Sequence, residues 1–200
     1  LAIVEDLVVS DRSPYVLAEK HNLGTNLLAH HLGVLAAAGL IVRSTSAGDH
    51  RRRYVRLRHE RLQQIGLAAT IPDQPVLFVC TQNSARSQLA AALWQEAGIS
   101  AAGSAGTEPA DEVHPGAVAA ASRASLRLQG RHPRRLGDVD HRDARVITVC
   151  DQAHEQLEGS IPHWHWSTAD PVASPSPDAF DRALNELRQR IDNLTGGSNE

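Results

Sequence analysis

A cysteine, five residues and an arginine, Cys80-Thr-Gln-Asn-Ser-Ala-Arg86, followed by Ser87, form the stretch best suited to covalent chemistry. The apolar run Val76-Leu-Phe-Val precedes it, and the helix-forming run Ser87-Gln-Leu-Ala-Ala-Ala-Leu-Trp94 follows. The segment therefore reads as a buried strand, a loop and a helix. Loop N–H groups and the positive helix end would face whatever the loop holds. Such surroundings favour a thiolate, which makes Cys80 a candidate nucleophile. Arg86 brings a planar guanidinium that can pair with two oxygens of a tetrahedral oxyanion at once.

A second cysteine ends another apolar run, Val146-Ile-Thr-Val-Cys150. In a parallel sheet both strand ends lie on one edge, with strands about 4.8 Å apart. If the two strands are neighbours, the cysteines approach the roughly 4.4–6.8 Å Cα separation of a disulfide. The competing reading of Cys150 is an inert buried cysteine.

The elements that must position these groups alternate in type. Strands are predicted at Val76–Cys80, Ile99–Ser104, Arg145–Cys150 and His163–Trp166. Helices are predicted after the first strand to about Ala97, from about His114 to Leu128, after Cys150, and from about Pro177 to Leu194. This order predicts a four-stranded parallel sheet with helices on both faces, its ligands bound beyond the strands' carboxyl ends. In His163-Trp-His-Trp166, strand alternation places the tryptophans on one face and the histidines on the other. Packed tryptophans and solvent-facing histidines are expected, with no metal.

Residues 1–62 are patterned differently. Leu1–Val8 reads as the end of a helix, Ser13-Pro14 as a capped start, and Asn22–Thr25 as a turn whose Thr25 caps a helix from Asn26 to Ala38. Leu28, Leu32 and Leu35 mark the buried face of that helix, and Gly39 its C-terminal stop. Leu40–Ser46 and Arg51–Leu57 then flank a turn as a hairpin. Helix, turn, helix and basic hairpin is the order of a winged helix-turn-helix. Thr25, Asn26, Leu27, His30 and His31 would face DNA bases, and Arg51, Arg52 and Arg53 the phosphates.

Charge supports two parts with different partners: residues 1–70 hold nine basic against six acidic side chains, and the remainder eleven against seventeen. The expected division is a winged helix at 1–62, a linker at 63–75, an α/β domain at 76–194 and a tail at 195–200. Two cysteines and no secretory or long apolar segment point to a cytoplasmic protein without membrane contact. The absence of methionine predicts that the natural start lies upstream of Leu1.

Two family resemblances attach to these residues. The run Leu28-Ala-His-His-Leu-Gly-Val-Leu-Ala-Ala-Ala-Gly-Leu-Ile-Val42 resembles the recognition helix and following strand of ArsR-type winged-helix repressors. That resemblance implies DNA as a partner, a homodimer and arsenic-linked transcriptional control. Members that sense arsenic do so through cysteines in this domain; residues 1–62 contain none, which excludes direct thiol sensing there.

Cys80–Ser87 resembles the phosphate-binding loop of low-molecular-weight protein tyrosine phosphatases and of the arsenate reductases that share their fold. Ser104-Ala-Gly-Thr107, His114-Pro-Gly and Asp170-Pro171 resemble further stretches of that superfamily. The resemblance implies that Cys80 attacks the oxyanion, and that the N–H groups of Thr81, Gln82, Asn83, Ser84, Ala85 and Arg86 cradle it. It also implies that Asn83 shapes the loop, Ser87 donates to the thiolate, and Asp170 protonates the leaving oxygen. Gln88, Pro-Val-Ala after Asp170, and Cys150 at the second redox position favour arsenate over phosphotyrosine. The reductases' third cysteine is replaced by Leu157. No bound cofactor is implied; an external thiol reductant, thioredoxin or a small thiol such as mycothiol, would complete the cycle. Hydrolysis of phosphotyrosine through a cysteinyl-phosphate is the alternative reaction, and a non-catalytic sensor of oxyanion or arsenite the alternative role.

Overall fold

The computed structural model describes residues 2–58, 61, 74–130, 132–173, 176 and 178–195. The expected linker, apart from Gln74 and Pro75, and the tail beyond Thr195 lie outside the described residues, as does Leu1.

The first part comprises α1 (Ala2–Val9), α2 (Pro14–Lys20), α3 (Thr25–Ala37) and an antiparallel hairpin of β1 (Ile41–Thr45) and β2 (Arg53–Leu57). Ser13 caps α2, its Oγ accepting from the Val16 N–H at 3.2 Å, with Pro14 in the first turn. The expected cap of α3 needs correcting. Gly24 is the cap and makes no side-chain bond, while Thr25 is already helical. Gly39 does end the helix, at φ +70°, where a left-handed residue lets its own N–H and that of Leu40 reach the carbonyls of Ala36 and Leu35. Leu28 and Leu32 are buried. Arg51 and Arg52 belong to the hairpin turn, and only Arg53 to β2.

The second part runs β3 (Val76–Cys80), α4 (Arg86–Glu96), β4 (Ala102–Gly106), α5 (Pro115–Arg123), β5 (Arg145–Thr148), α6 (Asp151–Leu157), β6 (Trp164–His165) and α7 (Ala179–Thr195). The sheet order is β4-β3-β5-β6, every pairing parallel. All five residues of β3 are buried, although successive side chains point to opposite faces, so both faces of the sheet are covered. Phe78 anchors this core between Trp94 and Trp166, ring centroids 5.7 Å from each. β4 begins three residues later than expected because Gly98, at φ +65°, ends the preceding helix and Ser100 is used in bonds with Trp94 Nε1 and the Gln74 carbonyl.

The two parts share one continuous apolar core. Ser10, Asp11 and Arg12 pass between β2 and β6: Asp11 N–H donates to the His165 carbonyl at 2.7 Å, and Arg12 and Val55 exchange backbone bonds. Trp166 Nε1 donates to the Val9 carbonyl at 3.0 Å. Among the described residues no helix is long and apolar enough to cross a membrane.

This docking overturns the expected solvent-facing histidines. His165 is fully buried, because the first part of the chain covers the face it occupies. Its ring stacks on His154 with centroids 4.1 Å apart and meets the edge of Tyr54. His163 Nδ1 faces the Ile161 carbonyl at 2.6 Å and so carries the ring proton, leaving Nε2 to accept from His154 Nδ1 at 2.7 Å.

Burial pushes the His154 pKa down to about 2, with His165 and His163 adding to the effect, and burial also lowers His163. The unfolded rings titrate near about 6.5. Above that pH neither state binds these protons. Below it the unfolded chain takes up protons that the folded chain does not, so stability falls with falling pH. For His154 the slope is about 1.4 kcal/mol per pH unit. Urea unfolding from pH about 7.5 to about 5 is expected to show this decline, and His154→Phe, which keeps the stacked ring, to flatten it. A wild-type profile level over that range would contradict the assignment.

Candidate active site

Cys80 ends β3 and is 3 % exposed. Its sulfur lies 3.2 Å from the Asn83 N–H and 3.1 Å from Ser87 Oγ, two donors suited to a sulfur anion. The loop from Thr81 to Ala85 is held from outside. The carbonyls of Cys80, Thr81, Gln82 and Ser84 accept from the N–H groups of Thr107, Glu108, Ala110 and His114. Gly106 makes this approach possible, since a Cβ there would stand 2.6 Å from the Thr81 carbonyl oxygen.

Asn83 is fully buried at φ +50°, a left-handed conformation that asparagine tolerates better than most residues. Its Nδ2 donates to Ser87 Oγ at 2.8 Å, and its Oδ1 accepts from the Arg134 N–H at 2.8 Å and from Gln88 Nε2 at 3.3 Å. The hydroxyl that meets the cysteine is thereby fixed by the residue that bends the loop.

Arg86 opens α4 beneath the loop and is 9 % exposed. Its Nη1 donates to the Thr168 carbonyl at 3.1 Å and its Nη2 to Asp170 Oδ2 at 2.9 Å. Asp170 Oδ1 accepts from the Val172 N–H at 2.9 Å. Together these groups surround a cleft of about 210 Å³, lined by the loop from Cys80 to Arg86 on one side and by Gln152, Asp170 and Val172 on the other.

Cys150 approaches from the neighbouring strand. β3 and β5 pair in register through Val79 and Thr148, and Val149 N–H continues to the Val79 carbonyl. Cys150 is 1 % exposed, lies 3.4 Å from Thr81 Oγ1, and caps α6 by accepting from the Ala153 N–H at 3.4 Å. Burial pushes its thiol pKa up and Cys80 adds to that, against Arg86 and the bonds from Thr81 and Ala153. Both cysteines are free. The arrangement can hold a compact oxyanion against a sulfur, offer it a guanidinium and a carboxyl group, and bring a second thiol to the same strand edge.

Cys80, Thr81, Gln82, Ser84, Ala85, Arg86 and Asp170 thus converge on one cleft, with Asn83 and Ser87 supporting it and Cys150 beside it. The residues expected to meet DNA lie apart from it. Thr25, Asn26, Leu27, His30 and His31 are exposed along α3; Arg51 and Arg53 are exposed, and Arg52 is half-buried against Glu158 at 2.6 Å. Sequence reasoning missed Gln152, Thr168, Arg134 and Gly106. The first two lie two residues from Cys150 and Asp170, which was the only local signal available.

A parallel α/β fold with a cysteine at the carboxyl end of its central strand, followed by an arginine that opens a helix, defines the class. The model of the low molecular weight phosphotyrosine protein phosphatase family matches residues 75–198, and the chain belongs to that family of enzymes. An arsenate reductase of Bacillus anthracis is 30 % identical over 130 residues, which cover 58 % of this chain and 90 % of that protein. The crystal structure of an arsenate reductase from Archaeoglobus fulgidus is similar with a TM-score of 0.51 at 29 % identity, over 60 % of this chain and 98 % of that one. An arsenate reductase in a phosphate-binding state gives 0.51 at 28 % identity, over 62 % and 97 %.

Proposed function

We propose that the chain reduces arsenate to arsenite at Cys80, using a thiol as electron donor. The observation that supports this most is the pair of free cysteines on adjacent strands, with Cys150 beside the loop that begins at Cys80. A hydrolase needs only the first of them.

In this reading the Cys80 thiolate attacks arsenic and an arsenate oxygen leaves as water, protonated from Asp170. The loop N–H groups and Arg86 hold the remaining oxygens. Arg86 is shared with Asp170 through Nη2, so an oxyanion that engages the guanidinium also releases a carboxylate oxygen to carry a proton. A second thiolate then attacks the Cys80 sulfur. The sulfur–arsenic electron pair passes to arsenic, arsenite departs, and a disulfide remains. Overall, arsenic acid and two thiols become arsenous acid, one disulfide and water.

With Leu157 at the helix end where a third thiol would stand, the disulfide passes directly to thioredoxin or a small thiol such as mycothiol. Replacing Cys150 by serine separates these routes: loss of arsenite release supports internal resolution, and retained release shows that an external thiol attacks Cys80. Phosphotyrosine hydrolysis is the second reading, favoured by the family match and by a carboxyl group 2.9 Å from the arginine.

For residues 1–62 we propose a winged helix-turn-helix that binds DNA as a homodimer, supported by the order of three helices and a hairpin and by the exposure of Thr25, Asn26, His30 and His31 along α3. In this reading a linker at 63–75 connects it along the chain to the enzyme domain at 76–194, against which it packs. Arg51 and Arg53 are the exposed wing cations. Replacing both by glutamine is expected to weaken binding about equally across DNA sequences and to lower the salt dependence by about two counterions per wing. Unchanged affinity and salt slope would contradict the wing assignment. Without turnover, the same architecture would serve as a sensor of oxyanion or arsenite; DNA affinity altered by arsenite in a chain that reduces no arsenate would favour it.

A further inference from the structure

The hairpin that carries the basic turn does not project freely from the chain. Its turn rests on α6, the short helix that Cys150 caps. Ala47 N–H donates to Asp151 Oδ2 at 2.7 Å, Asp49 N–H donates to Glu155 Oε2 at 2.9 Å, and Ser46 Oγ donates to Glu155 Oε1 at 2.6 Å. The Tyr54 hydroxyl, 3.1 Å away, reaches that same Oε1 from β2, and Arg52 pairs with Glu158 at 2.6 Å just beyond the helix. Gly48 lies so close that a Cβ would stand 2.4 Å from Glu155 Oε2 and 3.2 Å from the Gln152 Cα. Burial works against the Asp151 carboxylate, but hydrogen bonds from His165 and the Ala47 N–H outweigh it and hold its pKa below the usual range.

The other face of this helix belongs to the cleft. Gln152 lines it, and the Cys150 sulfur is the acceptor for the Ala153 N–H at the helix start. The start of α6, residues 150 to 155, thus carries the second thiol at its cap and, within the next turn and a half, both carboxylates that hold the hairpin.

We propose that the hairpin turn 46–49 is a latch on α6 that closes when Cys80 and Cys150 are thiols and opens when they form a disulfide. The inference rests on the reading of these two cysteines as the redox pair. A sulfur–sulfur bond of about 2.05 Å takes the Cys150 sulfur out of its capping position and towards β3. The first turn of α6 then loses an N-terminal partner, and Asp151 and Glu155, which hold the hairpin amides, shift with it. The redox state of the cleft is in this way passed to the segment that carries Arg51, Arg52 and Arg53. By linkage, contacts made only in the dithiol state must also oppose disulfide formation.

The experiment uses the full chain. Diamide, a diazene that accepts two electrons and two protons from a dithiol, converts Cys80 and Cys150 to the disulfide, and intact mass with thiol counting confirms the product. Hydrogen exchange measured by mass spectrometry on peptides spanning 45–50 is expected to be at least about tenfold faster in the oxidised chain than in the reduced one. Diamide-treated Cys150→Ser should keep the slow rate. In glutathione redox buffers, Glu155→Gln is expected to raise the disulfide-to-dithiol ratio about fivefold over wild type at the same buffer poise. A confirmed disulfide with unchanged exchange at 45–50, or no shift of the ratio in Glu155→Gln, overturns the latch and leaves the redox pair standing. If wild type forms no intrachain disulfide, the redox pair itself is wrong and the latch falls with it.

Discussion

Replacing Cys80 by serine is expected to lower turnover by at least about 10³-fold while leaving the fold intact. Serine fills the space of cysteine with a smaller atom, and the neighbouring donors, the Asn83 N–H and Ser87 Oγ, remain. What disappears is the sulfur nucleophile itself, and a hydroxyl in its place is far less nucleophilic. Arg86→Lys tests the same site from the other side. The guanidinium reaches the Thr168 carbonyl and Asp170 with two nitrogens at 3.1 and 2.9 Å, a fork that one ammonium cannot reproduce. A loss of roughly 10²- to 10³-fold is expected, the cost of removing a pre-positioned oxyanion donor. Steady-state kinetics with unfolding curves for each variant checks both. Turnover by Cys80→Ser within about tenfold of wild type would remove the sulfur from the mechanism.

The second large effect concerns stability. Asp11 and Arg190 are 1 % and 2 % exposed, and the Asp11 carboxylate takes both guanidinium nitrogens, at 3.1 and 2.7 Å, and also the Ser167 N–H at 2.7 Å. Arg190 comes from α7, Asp11 from the strand-like segment beneath β2, and Ser167 follows β6, so one carboxylate ties the first part of the chain to the second. Removing one partner of such a pair strands the other charge in the core and costs about 3–5 kcal/mol. Asp11→Ala is expected to fall in that range by urea unfolding. The double variant Asp11→Leu with Arg190→Met should recover a substantial part of the loss, since no charge is then left buried. A single-variant cost below about 1 kcal/mol would mean that water, or Glu186 at 3.7 Å from Arg190, takes up the remaining charge.

The local part of the site was legible in the residues themselves. A strand, a loop and a helix are contiguous between Val76 and Trp94, so an apolar run, a cysteine and a helix-forming stretch sufficed to place Cys80 against Arg86. The parallel sheet followed from alternation. The adjacency of the Cys80 and Cys150 strands did not, because strand order depends on which crossover packs where, and spacing along the chain carries no record of it.

Gln152, which lines the cleft, and Thr168, whose carbonyl holds Arg86, come from segments more than sixty residues beyond the loop, and beyond lying two residues from Cys150 and Asp170 nothing in sequence marks them. The error at His165 has the same origin. Alternation in His163-Trp-His-Trp166 separates the two faces of a strand, but it does not say what covers each face. Here Tyr54, far away in sequence, and His154 of α6 cover the histidine side, while Ser10 and Asp11 bond the strand's edge. The misplaced cap of α3 is a smaller matter of one residue, where Gly24 in extended conformation serves and Thr25 has already turned into the helix.

Electron transfer from thiols to an oxyanion is the chemistry proposed for this cleft. It is tested most directly by supplying the purified full chain with arsenate, and in parallel with an aryl phosphate, in the presence of thioredoxin and its reductase or of a low-molecular-weight thiol, and quantifying arsenite. Arsenite is expected in proportion to thiol consumed, abolished in Cys80→Ser, with aryl phosphate turned over far more slowly. Rapid phosphate release from the aryl phosphate with no arsenite formed under either donor would contradict it.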